Sequence, residues 1–214
     1  MPTSMTVVHL LRHGEVDNPT RVLYGRRPGF RLSDRGLAMA RMVADHLSDH
    51  DIVHLVSSPL ERAMQTAEPI AADRGLPIVV DERVIEAENW FEGTVVGRGD
   101  GILRTPGAWR KLVNPFTPSW GEPYEQIAAR MLAAVDEARA AARGHEAVIV
   151  SHQLPVWTAR SKLLGRKLWH DPRRRQCALA SLTSLHYLGD SLESVEYAEP
   201  AAALLPGAAP GAGA

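Results

Sequence analysis

Leu10-Leu11-Arg12-His13-Gly14-Glu15, following the apolar pair Val7-Val8, decides the fold, because it sets phosphate-handling groups at the end of a strand built for burial. A guanidinium presents a planar fork of donors that fits two phosphate oxygens. An imidazole is nucleophilic and largely neutral near pH 7, and Gly14 lets the backbone turn sharply against a ligand. Taken singly, the motif equally describes a capped strand end whose histidine bonds its own loop.

The same design recurs. The apolar run 52–56 feeds into Ser57-Ser58-Pro59-Leu60-Glu61-Arg62-Ala63-Met64-Gln65-Thr66-Ala67. Ser58 and Glu61 have capping-box spacing and Pro59 suits the first helical position, so Arg62 falls in the first turn, near the positive end of the helix dipole. An arginine there points at an anion. Ala147-Val148-Ile149-Val150-Ser151-His152 ends a continuous buried-type strand in a second histidine, and Arg83-Val84-Ile85-Glu86 brings a carboxylate after the short strand 78–80. Together these segments supply a nucleophile, two arginines, a second imidazole and an acid, all at strand C-terminal ends, where α/β sheets place ligands.

The periodicity predicts strands at about 6–12, 52–57, 78–80, 146–151, 182–188 and 192–197 and helices at about 34–49, 59–74, 122–142 and 154–164. Alternating strands and helices favour a mostly parallel sheet covered on both faces, and the last two strands, joined by Gly189-Asp190, read as an antiparallel edge hairpin. The expected organisation is one domain over residues 1–200, with a cap at about 89–124 rich in Trp, Phe, Gly and Pro. A flexible tail of Ala, Leu, Pro and Gly is expected over 201–214. The cap aromatics Trp90, Phe91, Trp109, Phe116, Trp120 and Tyr124 suit packing of the cap onto the sheet, or an organic pocket.

Composition narrows the class. A chain of 214 residues with 45% hydrophobic content can bury one substantial core. Its 24 basic and 25 acidic residues show none of the basic excess that nucleic-acid binding requires. A single cysteine, Cys177, gives no disulfide framework and suits a reducing compartment. With no leader-like N-terminus and no run approaching the ~20 apolar residues of a membrane span, the expected location is cytoplasmic, with neither membrane nor nucleic acid as partner. Two basic groups stay open in meaning. Arg21, Arg26, Arg27 and Arg31 either steer an anionic substrate or form a solvated loop, and Arg173-Arg174-Arg175 is solvated or a contact between subunits of a homodimer.

The stretches from about Val7 to Gly93 and from Glu146 to Trp157 resemble the histidine phosphatase superfamily, which includes cofactor-dependent phosphoglycerate mutases and many phosphatases. Leu11-Arg12-His13-Gly14-Glu15 is similar to its nucleophile motif and Ser57 to Ala67 to its second-arginine motif. Arg83-Val84-Ile85-Glu86 with Trp90-Phe91-Glu92-Gly93 resembles the acid-bearing segment, and Val150-Ser151-His152 the strand of the second histidine. The resemblance implies a phosphoglycerate mutase-like three-layer α/β/α sandwich. Three features depart from the family pattern. Gln153 stands where Gly is common and is a candidate substrate contact. Asn18 lies five residues after the nucleophile where the family's substrate-loop asparagine lies six after. Phe30-Arg31-Leu32-Ser33, followed by Gly36, replaces an Asp-x-Pro-Leu-Thr approach to the first long helix.

A phosphomonoester dianion repels nucleophiles and has a poor leaving group, so a catalyst must neutralise its oxygens, attack in line and protonate the departing oxygen. His13 is the expected nucleophile. Arg12, Arg62 and His152 are the expected phosphate ligands, with Asn18 and Gln153 as further substrate contacts, and Glu86 is the expected acid. No cofactor is implied, and no metal, since His13 and His152 lack a Cys or carboxylate set at metal-ligand spacing. The expected partners are a small phosphorylated substrate and the inorganic phosphate released from it. Hydrolysis is favoured over mutase chemistry because the interval from Glu86 to His152 is short for a substrate-enclosing insertion. A non-catalytic phosphate-binding or interaction module is the third class.

Overall fold

A computed structural model describes residues 4–94 and 121–208 of the chain. The first strand, β1 (Met5–Arg12), is buried from Thr6 to Arg12, as its apolar run dictates. Among the described residues, five further strands join it in one six-stranded sheet: β2 (Ile52–Ser57), β3 (Val79–Val80), β4 (Glu146–Ser151), β5 (Leu182–Leu188) and β6 (Ser191–Ala198), in the order β3-β2-β4-β1-β5-β6. β1 pairs parallel with β4, β4 with β2 and β2 with β3, whereas β5 and β6 add antiparallel at the β1 side. The mostly parallel sheet and its antiparallel edge hairpin are those expected.

Side-chain alternation along β1 sorts the two cores. Val8 and Leu10 face the helices α3 (Tyr124–Ala141) and α4 (Gln153–Leu163), where they meet Ile127, Met131, Val156 and Ala159. Leu11 faces α1 (Asp34–His46) and α2 (Glu61–Arg74), in a core with Met39, Val43, Ala67 and Ile70. The sheet is thus buried on both faces, which is why β4 reads as an unbroken apolar run. Parallel strands point their C-terminal ends the same way, and Arg12, Ser57 and Ser151 end β1, β2 and β4 side by side through the pairs Arg12–Ser151 and Ser57–Val150.

Helix starts show where local rules hold and where they yield. α1 begins as expected from Ser33, whose Oγ accepts the Gly36 N–H at 3.0 Å and donates to Glu15 Oε2 at 2.6 Å. α2 does not use the expected capping box. Its first residue is Glu61 and its cap Leu60 has no side-chain bond, so Pro59 lies outside the helix. The Glu61 carboxylate instead accepts the Gly29 N–H at 2.8 and 3.0 Å, and Ser58 is held by the active-site cluster described below.

The stretch expected to be a flexible tail from Ala201 begins with a packed turn. Ala201 is buried, and Leu204, Leu205 and Ala208 lie against the α1/α2 core, where their apolar side chains leave water. Most of the expected cap lies outside the described residues, including Trp109, Phe116 and Trp120. At its flanks, Asn89 bridges Gly121 and Phe91 is buried. Among the described residues no helix is long and apolar enough to cross a membrane.

Candidate active site

His13 follows β1 directly, and its imidazole is almost wholly buried at 1% exposure. Its Nδ1 lies 2.7 Å from the Gly14 carbonyl oxygen. A carbonyl only accepts, so Nδ1 carries the proton and Nε2 is left with its lone pair, the state required of a nucleophile. Burial first, then the charges of Arg62 and Arg12, hold the pKa of His13 well below the ordinary value, so the ring stays neutral.

The sharp turn after His13 rests on two glycines. A Cβ at Gly14 would stand 2.6 Å from the Gly36 carbonyl oxygen, and one at Gly36 would collide with the carbonyl of Glu15. The Gly14 N–H donates to Thr66 Oγ1 at 3.2 Å, and Thr66 in turn donates to the Arg62 carbonyl at 2.7 Å. The nucleophile loop and the first turns of α2 are therefore tied together.

His152 ends β4 and faces His13 edge-on, with ring centroids 5.1 Å apart and planes at 62°. Its Nε2 lies 2.8 Å from Ser58 Oγ, while the Leu60 N–H reaches the same hydroxyl at 3.4 Å. A hydroxyl that accepts from Leu60 is free to give its own proton to Nε2. His152 then carries its hydrogen on Nδ1, which is buried and has no partner among the described residues. Burial first, then Arg62, His13 and further arginines, hold this ring neutral too.

Two guanidiniums complete the cradle. Arg12 donates through Nη1 to the Cys177 carbonyl at 2.7 Å, and Arg62 through Nη2 to the Gly25 carbonyl at 2.6 Å. Arg62 also stacks over Tyr24, 4.7 Å from its ring centre. Arg12 Nε and Arg62 Nε and Nη1 are buried with no partner among the described residues. An unmet buried donor costs on the order of 1–3 kcal/mol, more when charged, so several such groups converging on one place describe a ligand site.

Glu86 is also buried, and desolvation raises its pKa despite the opposing Ala87 N–H bond and the nearby charges of Arg62, Arg175 and Arg12. Oε1 accepts the Ala87 N–H at 2.8 Å, and Oε2 has no partner among the described residues. A carboxyl group whose burial favours the acid form, and which keeps one oxygen unpartnered, is suited to deliver a proton. The segment after β3 that bears it is fixed by Arg26 Nε on the Glu86 carbonyl at 2.6 Å, and by Arg130 Nη1 on the carbonyls of Arg83 and Ile85 at 2.6 and 2.7 Å.

Arg12, His13, Arg62, Glu86 and His152 thus gather in one cluster. Asn18 uses its amide within its own loop, accepting the Val22 N–H at 3.1 Å and donating to the Val22 carbonyl at 2.9 Å. Gln153 sits at the rim with its amide engaged on both sides, donating to the Cys177 carbonyl and accepting from Arg175 Nη1, each at 3.3 Å. Of the basic loop, Arg26 is structural, paired with Glu88 at 2.9 Å and Glu122 at 3.0 Å, whereas Arg21, Arg27 and Arg31 are exposed.

Two site residues escape the sequence reading. Arg175 breaks from its exposed neighbours Arg173 and Arg174 and turns inward, donating to His170 Nε2 at 2.8 Å and lying near enough to feel the charges of Glu86 and Arg12. Tyr24 is buried beneath Arg62, its own ring stacked 5.0 Å from Phe30. Neither sits on a strand end or at a motif spacing, so periodicity carries no signal for them.

A buried imidazole beside two arginines at the C-terminal edge of a parallel sheet is an arrangement suited to binding a phosphoryl group. The chain belongs to the histidine phosphatase superfamily (branch 1), whose family pattern matches residues 8–200. It is 61% identical over 197 residues, 92% of this chain and 98% of the other, to the uncharacterized protein Rv0525 of Mycobacterium tuberculosis. A probable phosphoglycerate mutase, GpmB of Photorhabdus laumondii, is 31% identical over 189 residues, 86% of each chain. The solved structure of a mycobacterial glucosyl-3-phosphoglycerate phosphatase complexed with VO3 superposes with a TM-score of 0.69 at 27% identity, covering 90% of this chain and 96% of that one.

Proposed function

We propose that the chain is a phosphomonoester hydrolase that works through a phosphohistidine on His13, without a metal ion in the reaction, on a small anionic substrate. The observation that carries this reading is that Arg12 Nε, Arg62 Nε and Nη1, His152 Nδ1 and Glu86 Oε2 are buried without partners among the described residues, in a cluster where both arginines act on His13 and Glu86 and the two imidazoles lie 5.1 Å apart. A phosphate dianion supplies the negative charge that this cationic pocket lacks.

In the first step His13 Nε2 attacks phosphorus, the phosphorus–ester oxygen bond breaks, and the leaving oxygen takes the proton from Glu86. Arg12, Arg62 and His152 Nδ1–H hold the equatorial oxygens as charge shifts among them. In the second step Glu86, now a carboxylate, takes a proton from water as its oxygen attacks phosphorus. The phosphorus–nitrogen bond breaks, phosphate departs, and the nucleophile and acid return to their starting forms.

The phosphatase relative supports hydrolysis and the GpmB relative supports a mutase, so one assay separates them. Purified protein given 3-phosphoglycerate, with and without 2,3-bisphosphoglycerate, and a panel of other phosphomonoesters releases inorganic phosphate from at least one ester if it is a hydrolase. Formation of 2-phosphoglycerate with little free phosphate supports the mutase instead. Turnover of no ester supports a binding module.

A further inference from the structure

At the opposite end of β1 from the catalytic pocket, a second histidine cluster has no part in this chemistry. His9 lies within β1 on the α1 side and is 3% exposed. Its Nε2 is 2.8 Å from Glu146 Oε2, at the first residue of β4, and the same oxygen meets His50 Nδ1 at 2.7 Å. Three chain segments far apart in sequence therefore aim two nitrogens and a carboxylate oxygen at one point, all within 4.8 Å of one another. His46, in the last turn of α1, stands beside them with its ring 6.0 Å from that of His50.

We propose that His9, His50 and Glu146 form a structural site for a divalent ion of the zinc class, with His46 placed to add a fourth nitrogen. Two imidazoles and a carboxylate are a donor set that zinc favours, at bond lengths near 2.0–2.2 Å. Ligand atoms around a tetrahedral ion of that size sit roughly 3.3–3.5 Å apart, so the present spacing needs only a widening of about half an ångström to admit one.

The surroundings fit the same assignment. His9 Nδ1 is bonded to Ser184 Oγ at 2.8 Å, so with the Nδ1 proton given to that hydroxyl the ring presents Nε2 as a ligand, the usual second bond of a metal-bound histidine. The C-terminal end of α1, whose dipole attracts cations, closes one side. Four residues along a strand span roughly 13 Å, which separates His9 from His13 and keeps this site out of the reaction. Its effect would be to pin the turn after α1 to β1 and β4.

The test uses the full chain made without a polyhistidine tag and stripped with chelator. Calorimetry with ZnCl2, the visible spectrum with Co2+, and melting temperature with each ion report binding, while MgCl2 serves as the control. The proposal expects one zinc per chain at micromolar affinity or tighter, a higher melting temperature with zinc than with magnesium, and a Co2+ spectrum of low coordination number. His50→Gln, at a half-exposed position that leaves the fold intact, should weaken zinc binding at least 100-fold, and Ser184→Ala 10- to 100-fold. Failure of the wild-type chain to bind one equivalent of zinc overturns the proposal, and so does unchanged binding in His50→Gln. Phosphomonoester turnover should be the same with and without zinc, which separates this result from the catalytic reading.

Discussion

Ser58 Oγ lies 2.8 Å from Nε2 of His152, so the residue that follows β2 orients the ring that ends β4. The bond leaves the proton on Nδ1, which is buried without a partner among the described residues in a ring 5.1 Å from that of His13. Ser58→Ala removes one neutral hydrogen bond, worth about 0.5–1.5 kcal/mol, and should lower kcat/KM by roughly 2- to 12-fold with little change in melting temperature. Steady-state kinetics with thermal unfolding on the same preparations checks this.

Arg62 opposes any positive charge on His13, second only to burial. The acidic limb of the kcat/KM profile, where His13 gains a proton and loses its nucleophilic lone pair, is therefore expected below pH 6.5, the ordinary value. Removing the cation makes protonation easier. In Arg62→Gln that limb should move to higher pH, and inhibition by phosphate or vanadate should weaken by about 1.5–3 kcal/mol at every pH.

Burial raises the pKa of Glu86 above the ordinary carboxylate value, so the alkaline limb set by loss of its proton is expected above pH 4.5. A general acid is worth about 10²–10⁴-fold and matters most when the leaving group is poor. Glu86→Gln should lose activity of that order on an alkyl phosphate while keeping much of its activity on p-nitrophenyl phosphate. Equal losses on both esters would assign Glu86 a positioning role instead.

Gly36 admits the backbone of Glu15 where no Cβ fits. The atoms in the way are all main chain of Glu15 and cannot swing aside, so Gly36→Ala should cost about 1–3 kcal/mol in urea unfolding and displace the loop bearing His13.

What the sequence made legible follows from its periodicity. β1, β2 and β4 are apolar runs that end in Arg12-His13, Ser57-Ser58 and Ser151-His152, so strand, strand end and chemical group are written in consecutive residues. The capping box at Ser58 and Glu61 misled because the local rule competes with a tertiary partner. His152 takes the hydroxyl and Gly29 the carboxylate, leaving α2 to start later. Asn18 lies one residue short of the family's spacing, and the structure shows its amide bonded to both backbone groups of Val22. Arg175 was hidden inside a run of three arginines, since which of them turns inward depends on His170 and Gln153 reaching back from elsewhere. The tail beyond Ala201 carries no period, but its leucines find apolar surface that only the assembled α1 and α2 create.

The central claim is that the His13 imidazole carries the phosphoryl group. Rapid quenching of the wild-type protein with a turned-over ³²P-labelled ester should trap one acid-labile, base-stable phosphate per chain, located by mass spectrometry on His13 and discharged by water at a rate no slower than kcat. His13→Ala should show neither the adduct nor turnover. An adduct that survives in His13→Ala, or turnover in the wild type with no adduct formed at a competent rate, would contradict the account.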